Sequence, residues 1–285
     1  MNYIMVIIST VLLAFDFAVL KKYQSSEGTG LAAGLRFNTL NGLFTAIIFF
    51  CLSGFKFQFS LFSLIMGFLM ALFCIVYSVL GLQVLKSGNM AIYSVFLMSG
   101  GMILPYIFGI LFLNEEFTLL RLGGLIIILA AVIISNRGKV SLSGNIIMLC
   151  SIIFILNGFV SIVSKCHQVT TDFPAVDSTA FVMYTGICRF VLGGIGLLLC
   201  GRQGFRFNKK AAFALTPLTA IISGVSYFLQ LIGAKNLPAT VLYPLITGGS
   251  IIFSALAGKF LFKEKLSVAQ IISVALCFVG TLLFL

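Results

Sequence analysis

Ser99 to Thr118 reads SGGMILPYIFGILFLNEEFT, and Thr247 to Ser267 reads TGGSIIFSALAGKFLFKEKLS. Both stretches open on a hydroxyl residue and two glycines, continue as an apolar run, and close on a short acidic turn. That turn is Leu113-Asn114-Glu115 in the first and Phe262-Lys263-Glu264 in the second. The correspondence extends outward. Arg36-Phe37 recurs as Arg189-Phe190 and Gly54-Phe55-Lys56-Phe57 as Gly204-Phe205-Arg206-Phe207, with offsets of 148 to 153 residues throughout. The chain therefore divides into a first repeat, 1–140, and a second, 141–285, within one membrane unit. Each copy holds five apolar segments of spanning length. Five is odd, so two copies in tandem enter a membrane with opposite orientations. The predicted fold is an all-α membrane protein of ten transmembrane helices built from two inverted five-helix repeats, an arrangement that in secondary transporters places the site at the repeat interface.

Composition agrees. The chain is 60% hydrophobic and 9% charged, carries 30 Phe, and has a mean hydropathy of +1.18, which a water-soluble domain could not hold without large exposed apolar patches. A helix needs roughly 20 apolar residues to cross a hydrocarbon core of about 30 Å, and the long continuous runs are helical rather than alternating. The expected spans are 3–22, 30–52, 59–83, 89–112, 118–136, 143–164, 178–200, 209–233, 239–261 and 267–285. The polar stretch from Lys165 to Ser178, which contains His167, reads as a surface loop. The first segment reads as a resident span, because Lys21 and Lys22 follow it rather than precede it and no small-residue cleavage pattern comes after.

The net charge of +11 comes from basic residues scattered singly or in pairs at segment ends, which fits membrane orientation and not nucleic acid. Odd-numbered connections carry twelve of them, Lys21, Lys22, Lys86, Arg137, Lys139, Arg202, Arg206, Lys209, Lys210, Lys259, Lys263 and Lys265. Even-numbered connections carry four, Lys56, Arg121, Lys165 and Lys235. The positive-inside rule then puts the odd-numbered connections in the cytoplasm and both termini outside.

Several chemistries lack their parts. The seven cysteines form no metal knuckle or redox dithiol, the single His167 cannot build a zinc cage or a Ser-His nucleophile, and no Gly-rich loop with Lys and Ser/Thr is present for nucleotide phosphates. Asp16 is the only acid well inside a span, which rules out an intramembrane carboxylate dyad. The expectation is a protein that is not an enzyme, uses no cofactor and holds no metal.

The acidic turns Glu115-Glu116-Phe117-Thr118 and Glu264-Lys265-Leu266-Ser267, each followed by a Gly-containing fifth span, resemble the drug/metabolite transporter superfamily in its EamA-like ten-helix branch. The resemblance covers the whole chain. It implies a secondary transporter, often an exporter of amino acids or other small metabolites, in a bacterial plasma membrane. It also implies a central cavity lined by the first four spans of each repeat, peripheral fifth spans and, unlike the loop charges, cytoplasmic termini. Multidrug or cation efflux and translocation of lipid-linked sugars fit the same architecture; from another class, so does a non-transporting scaffold or subunit. The partners implied are the bilayer, a small-molecule substrate and protons, for a monomer or homodimer that does not bind nucleic acid.

Charges inside spans are costly, at least about 2.5–3.5 kcal/mol near the bilayer centre, and so mark sites. Asp16 lies near the end of the first span and Arg36 near the start of the second, at the same depth. They read either as a structural ion pair or, for Asp16, as a proton or cation site resembling in position the first-helix carboxylate of small multidrug resistance proteins. Arg189 is the repeat equivalent of Arg36, but the sixth span holds Asn157, Ser161 and Ser164 and no acid to match Asp16, so Arg189 either invites an anion or bonds backbone carbonyls, polar side chains of neighbouring helices or a loop acid such as Asp177. It stands on a small, polar stripe with Thr185, Gly193 and Gly196. Tyr77, Tyr227, Gln230 and Tyr243 lie on similar stripes and complete the cavity candidates, although small residues at such spacing also serve close helix packing. Glu115 and Glu264 are expected to cap the helix that follows each of them, or to gate.

Overall fold

The computed structural model describes residues 2–28, 30–86, 90–135, 144–201, 208–261 and 267–284. Among these the regular structure is helical, with no strand: α1 (Asn2–Glu27), α2 (Leu31–Leu52), α3 (Leu61–Lys86), α4 (Met90–Phe112), α5 (Leu119–Ser135), α6 (Gly144–Val169), α7 (Ser178–Leu199), α8 (Lys209–Asn236), α9 (Ala239–Leu261) and α10 (Val268–Leu282). Eight of them, α1 to α4 and α6 to α9, are long and apolar enough to cross a membrane. Helices α5 and α10 are apolar but shorter, at 17 and 15 residues. These lengths are compatible with a multi-pass integral membrane protein.

The two halves interlock. Helix α1 packs on α8 and α9, α6 packs on α3 and α4, α2 pairs with α7, and α5 pairs with α10. The glycines quoted above make these contacts possible. A Cβ on Gly100 would fall onto the Phe154 carbonyl of α6, and one on Gly249 would lie 2.9 Å from Thr10 Oγ1 of α1. Helix α4 therefore approaches the backbone of α6, and α9 closes on the Thr10 side chain of α1. In the α2–α7 pair, Thr39 faces Gly193, Gly42 faces Arg189 and Phe190, and Ala46 faces Gly186. Numbers rise along one helix as they fall along the other, so the pair is antiparallel.

These contacts predict a contrast. Gly100→Leu should lower the melting temperature of the detergent-solubilised protein, because overpacking a tight crossing costs about 1–3 kcal/mol. Gly123→Ala, where a Cβ meets nothing within 4 Å, should hold or raise it, since Ala in a helix is favoured over Gly by up to about 1 kcal/mol. Equal effects of the two changes would count against the close packing of α4 on α6.

The expected surface loop from Lys165 is corrected. Helix α6 runs on to Val169, and both Lys165 (4% exposed) and His167 (2%) are buried. The His167 ring stacks on Phe181 at 3.6 Å between centroids and on Phe62 at 5.9 Å. Its nitrogens meet Ser63 Oγ and Gln168 Nε2, each at 2.9 Å. Polar residues continue the helix here because neighbouring helices supply their partners.

Candidate functional site

A cavity of about 530 Å³ lies between the group α1, α8, α9 and the group α3, α4, α6, flanked by α2 and α7. No residue of α5 or α10 lines it. At one end it reaches Gln24 and the exposed Gly28, where α1 gives way to α2. At the other it stops against Leu231, Ala234 and Leu242, all at or below 1% exposure, beside the α8–α9 connection. The cavity thus has a mouth on the face of the α1–α2 connection and a floor towards the opposite face.

Asp16, Tyr77, Asn157, Thr185, Arg189, Tyr227, Gln230 and Tyr243 all line this space. Most of their polar groups are already engaged. Asn157 Nδ2 donates to the Leu97 carbonyl at 2.7 Å, Tyr227 Oη shares a 2.9 Å bond with Ser164 Oγ, and Thr185 Oγ1 donates to the Val182 carbonyl at 2.8 Å. Gln230 Nε2 donates to Ser226 Oγ at 3.3 Å, and Tyr243 Oη donates to the Ser161 carbonyl at 2.5 Å. Two groups differ. Asp16 Oδ1 and Arg189 Nε are buried without a hydrogen-bond partner among the described residues. Buried polar atoms are rarely left unmet, and a charged one costs the most. These two side chains carry hydrogen-bonding capacity that the described residues do not use.

Arg36 does not join them: of the two readings given above, its ion pair goes to Glu27 and not to Asp16. Helix α1 continues through Glu27, and Arg36 Nη1 bonds Glu27 Oε2 at 2.5 Å with both side chains at or below 6% exposure. The same carboxylate accepts from Asn208 N at 2.8 Å, joining the start of α8 to the first repeat. Arg36 and Arg189 stand at different depths, as equivalent positions of antiparallel helices do. Gly42 is the residue level with Arg189 and Leu35 the one level with Gly196, so Arg36 sits about 9 Å nearer the mouth face at 1.5 Å per residue. Arg189 Nη2 donates instead to Asn38 Oδ1 at 2.9 Å. Asn38 carries no charge that would have marked it in the sequence.

The Glu115 side chain is 9% exposed and does not cap the helix that follows it. Helix α5 is capped by Thr118, whose Oγ1 accepts from Arg121 N at 3.2 Å. Glu115 instead accepts from Ala239 N at 2.6 Å and Thr240 N at 2.8 Å, at the start of α9. A hydroxyl also serves at α10, where Ser267 forms a capping box with Gln270. Glu264 lies outside the described residues. Among those described, no group of three or more His, Cys, Asp and Glu is placed to hold a metal ion.

No family model matches the chain, and no curated protein matches it. A solved crystal structure of another protein superposes with a TM-score of 0.77, covering 98% of this chain and 94% of that one at 16% identity. The likeness is one of fold alone. It extends over nearly the full length of both chains, so the interlocked helices belong to an architecture seen in a second protein.

Proposed function

We propose that the protein is a secondary transporter of a small polar metabolite carrying a carboxylate, such as an amino acid, working by alternating access and acting as an exporter. The observation that carries this reading is the pair of unmet groups of opposite charge, Asp16 Oδ1 and Arg189 Nε, held in one central cavity. A guanidinium suits a carboxylate, and a carboxylate beside it suits an ammonium or a proton. The exchange of contacts between halves, with α1 on α8 and α9 answered by α6 on α3 and α4, supports ten spans in two inverted repeats. The antiparallel α2–α7 pair supports the same reading. The quoted turns and this architecture favour the EamA-like branch of the drug/metabolite transporters and a bacterial plasma membrane.

The mouth lies on the face of the odd-numbered connections, which carry the basic excess. By the positive-inside rule that face is cytoplasmic, which opens the cavity to substrate from within; the cytoplasmic termini implied by the resemblance would turn the mouth outward. The test is uptake and efflux in proteoliposomes with labelled amino acids and organic cations across an imposed pH gradient. Carboxylate transport that responds to the gradient is expected. Transport of cations alone would sink the carboxylate reading. No transport of either, with Cys74 of the cavity wall unreactive to polar thiol reagents, would favour a packed scaffold.

A further inference from the structure

We infer that Glu115 and Lys165 together form the latch that closes the cavity floor, and that both must release the α8–α9 connection for the floor to open. The inference rests on the alternating-access reading above. Glu115 belongs to the first half and Lys165 to the second, and the pair stands 3.8 Å apart with both side chains at or below 9% exposure. Lys165 Nζ donates to the carbonyls of Ala234 at 2.8 Å and Leu237 at 2.6 Å, where α8 ends. Ala234 is itself part of the cavity wall. The carboxylate of Glu115 holds the first two amides of α9, as described. The ammonium and the carboxylate therefore clasp both sides of the α8–α9 connection at once, directly beyond the blind end.

The local sequence is shaped to place that carboxylate. Asn114 takes φ +52°, a left-handed conformation that Asn adopts more readily than most residues, and Glu115 N bonds back to the Gly109 carbonyl at 3.0 Å. A Cβ on Gly109 would come within 2.5 Å of Glu115 Oε2, so a glycine at that position leaves room for the acid to turn inward. The clasp joins the group α3, α4, α6 to the group α1, α8, α9, because Lys165 stands on α6, Glu115 directly follows α4, and their partners end α8 and begin α9. Tyr243 Oη on Ser161 makes a second tie between the same groups, one layer nearer the cavity. Rocking the two groups apart at this face breaks these bonds first. A buried charge pair suits the task, since it is costly to leave half-made and its members recover hydration once the face opens.

The test uses the full chain with Cys74 as its sole cysteine, labelled by a membrane-impermeant thiol reagent in right-side-out and in inside-out vesicles. Cys74 lines the cavity. The preparation in which the parent is labelled defines the mouth face, and the other reports the floor. Lys165→Met and Glu115→Gln should each raise floor-side labelling at least tenfold while slowing mouth-side labelling, and Lys165→Arg should stay near the parent. Glu115→Gln keeps an oxygen for the α9 amides, so it carries the test if Lys165→Met does not fold. Floor-side labelling at the parental rate in Glu115→Gln, with mouth-side labelling intact, would overturn the latch and leave the transporter reading standing. A parent labelled from neither face would overturn both.

Discussion

Arg189→Ala is expected to lower transport of a carboxylate substrate by about tenfold to a hundredfold in proteoliposomes, with the protein still folded. A charge-assisted hydrogen bond to a ligand is worth about 1.5–3 kcal/mol, and about 1.4 kcal/mol is a factor of ten. The position lets the effect appear in function. Arg189 is anchored by one nitrogen on Asn38 and leaves Nε without a hydrogen-bond partner among the described residues, so the guanidinium is oriented but not saturated. Arg189→Lys should restore only part of the activity, because an ammonium keeps the charge but loses the planar fork that grips a carboxylate. Asn38→Ala should give an intermediate loss by freeing the guanidinium from its anchor. The comparison with organic cations makes the result specific. If Arg189→Ala leaves carboxylate transport at the wild-type rate, the anion role is wrong and Asp16 becomes the residue to pursue.

Length and apolarity made the helices legible, whereas which helix of one half packs on which of the other was not, because the small residues of a close crossing do not name their partner. The cavity charges were legible for an energetic reason. Asp16 and Arg189 stand in apolar runs where a charge is too costly to keep without use, and both line the central space. Partners were not legible. Lys21 and Lys22 suggested that α1 stops there, yet the helix continues to Glu27, whose carboxylate captures Arg36. Glu115 was assigned to the nearest helix in sequence, whereas the amides it satisfies open α9. In each case the local pattern identified a group that needed a partner; for Arg36 it lay nine residues back on the lengthened α1, and for Glu115 only the packing of one half against the other could supply it.

His167 gives the sharpest separation between the two readings of its segment. A solvated loop histidine can be replaced at a cost within about 0.5 kcal/mol. The structure instead predicts that His167→Ala destabilises the protein by about 3 kcal/mol or more, the range for deleting a buried aromatic ring, seen as a large fall in melting temperature. The ring fills the space between Phe62 and Phe181, and its nitrogens bind Ser63 of α3 and Gln168 of its own helix. Ser63 Oγ also accepts from Val176 N at 3.0 Å, so the imidazole, the hydroxyl and the strap leading into α7 form one connected cluster. His167→Phe should recover a large part of the loss, because it refills the stack and forfeits two hydrogen bonds at about 1 kcal/mol each. His167→Gln should recover less, since it offers polar atoms without a ring. Melting temperatures in the order wild type, Phe, Gln, Ala would show that ring packing dominates at this end of α6. If all four proteins melted together, the burial of His167 and the continuation of α6 beyond Ser164 would both be wrong.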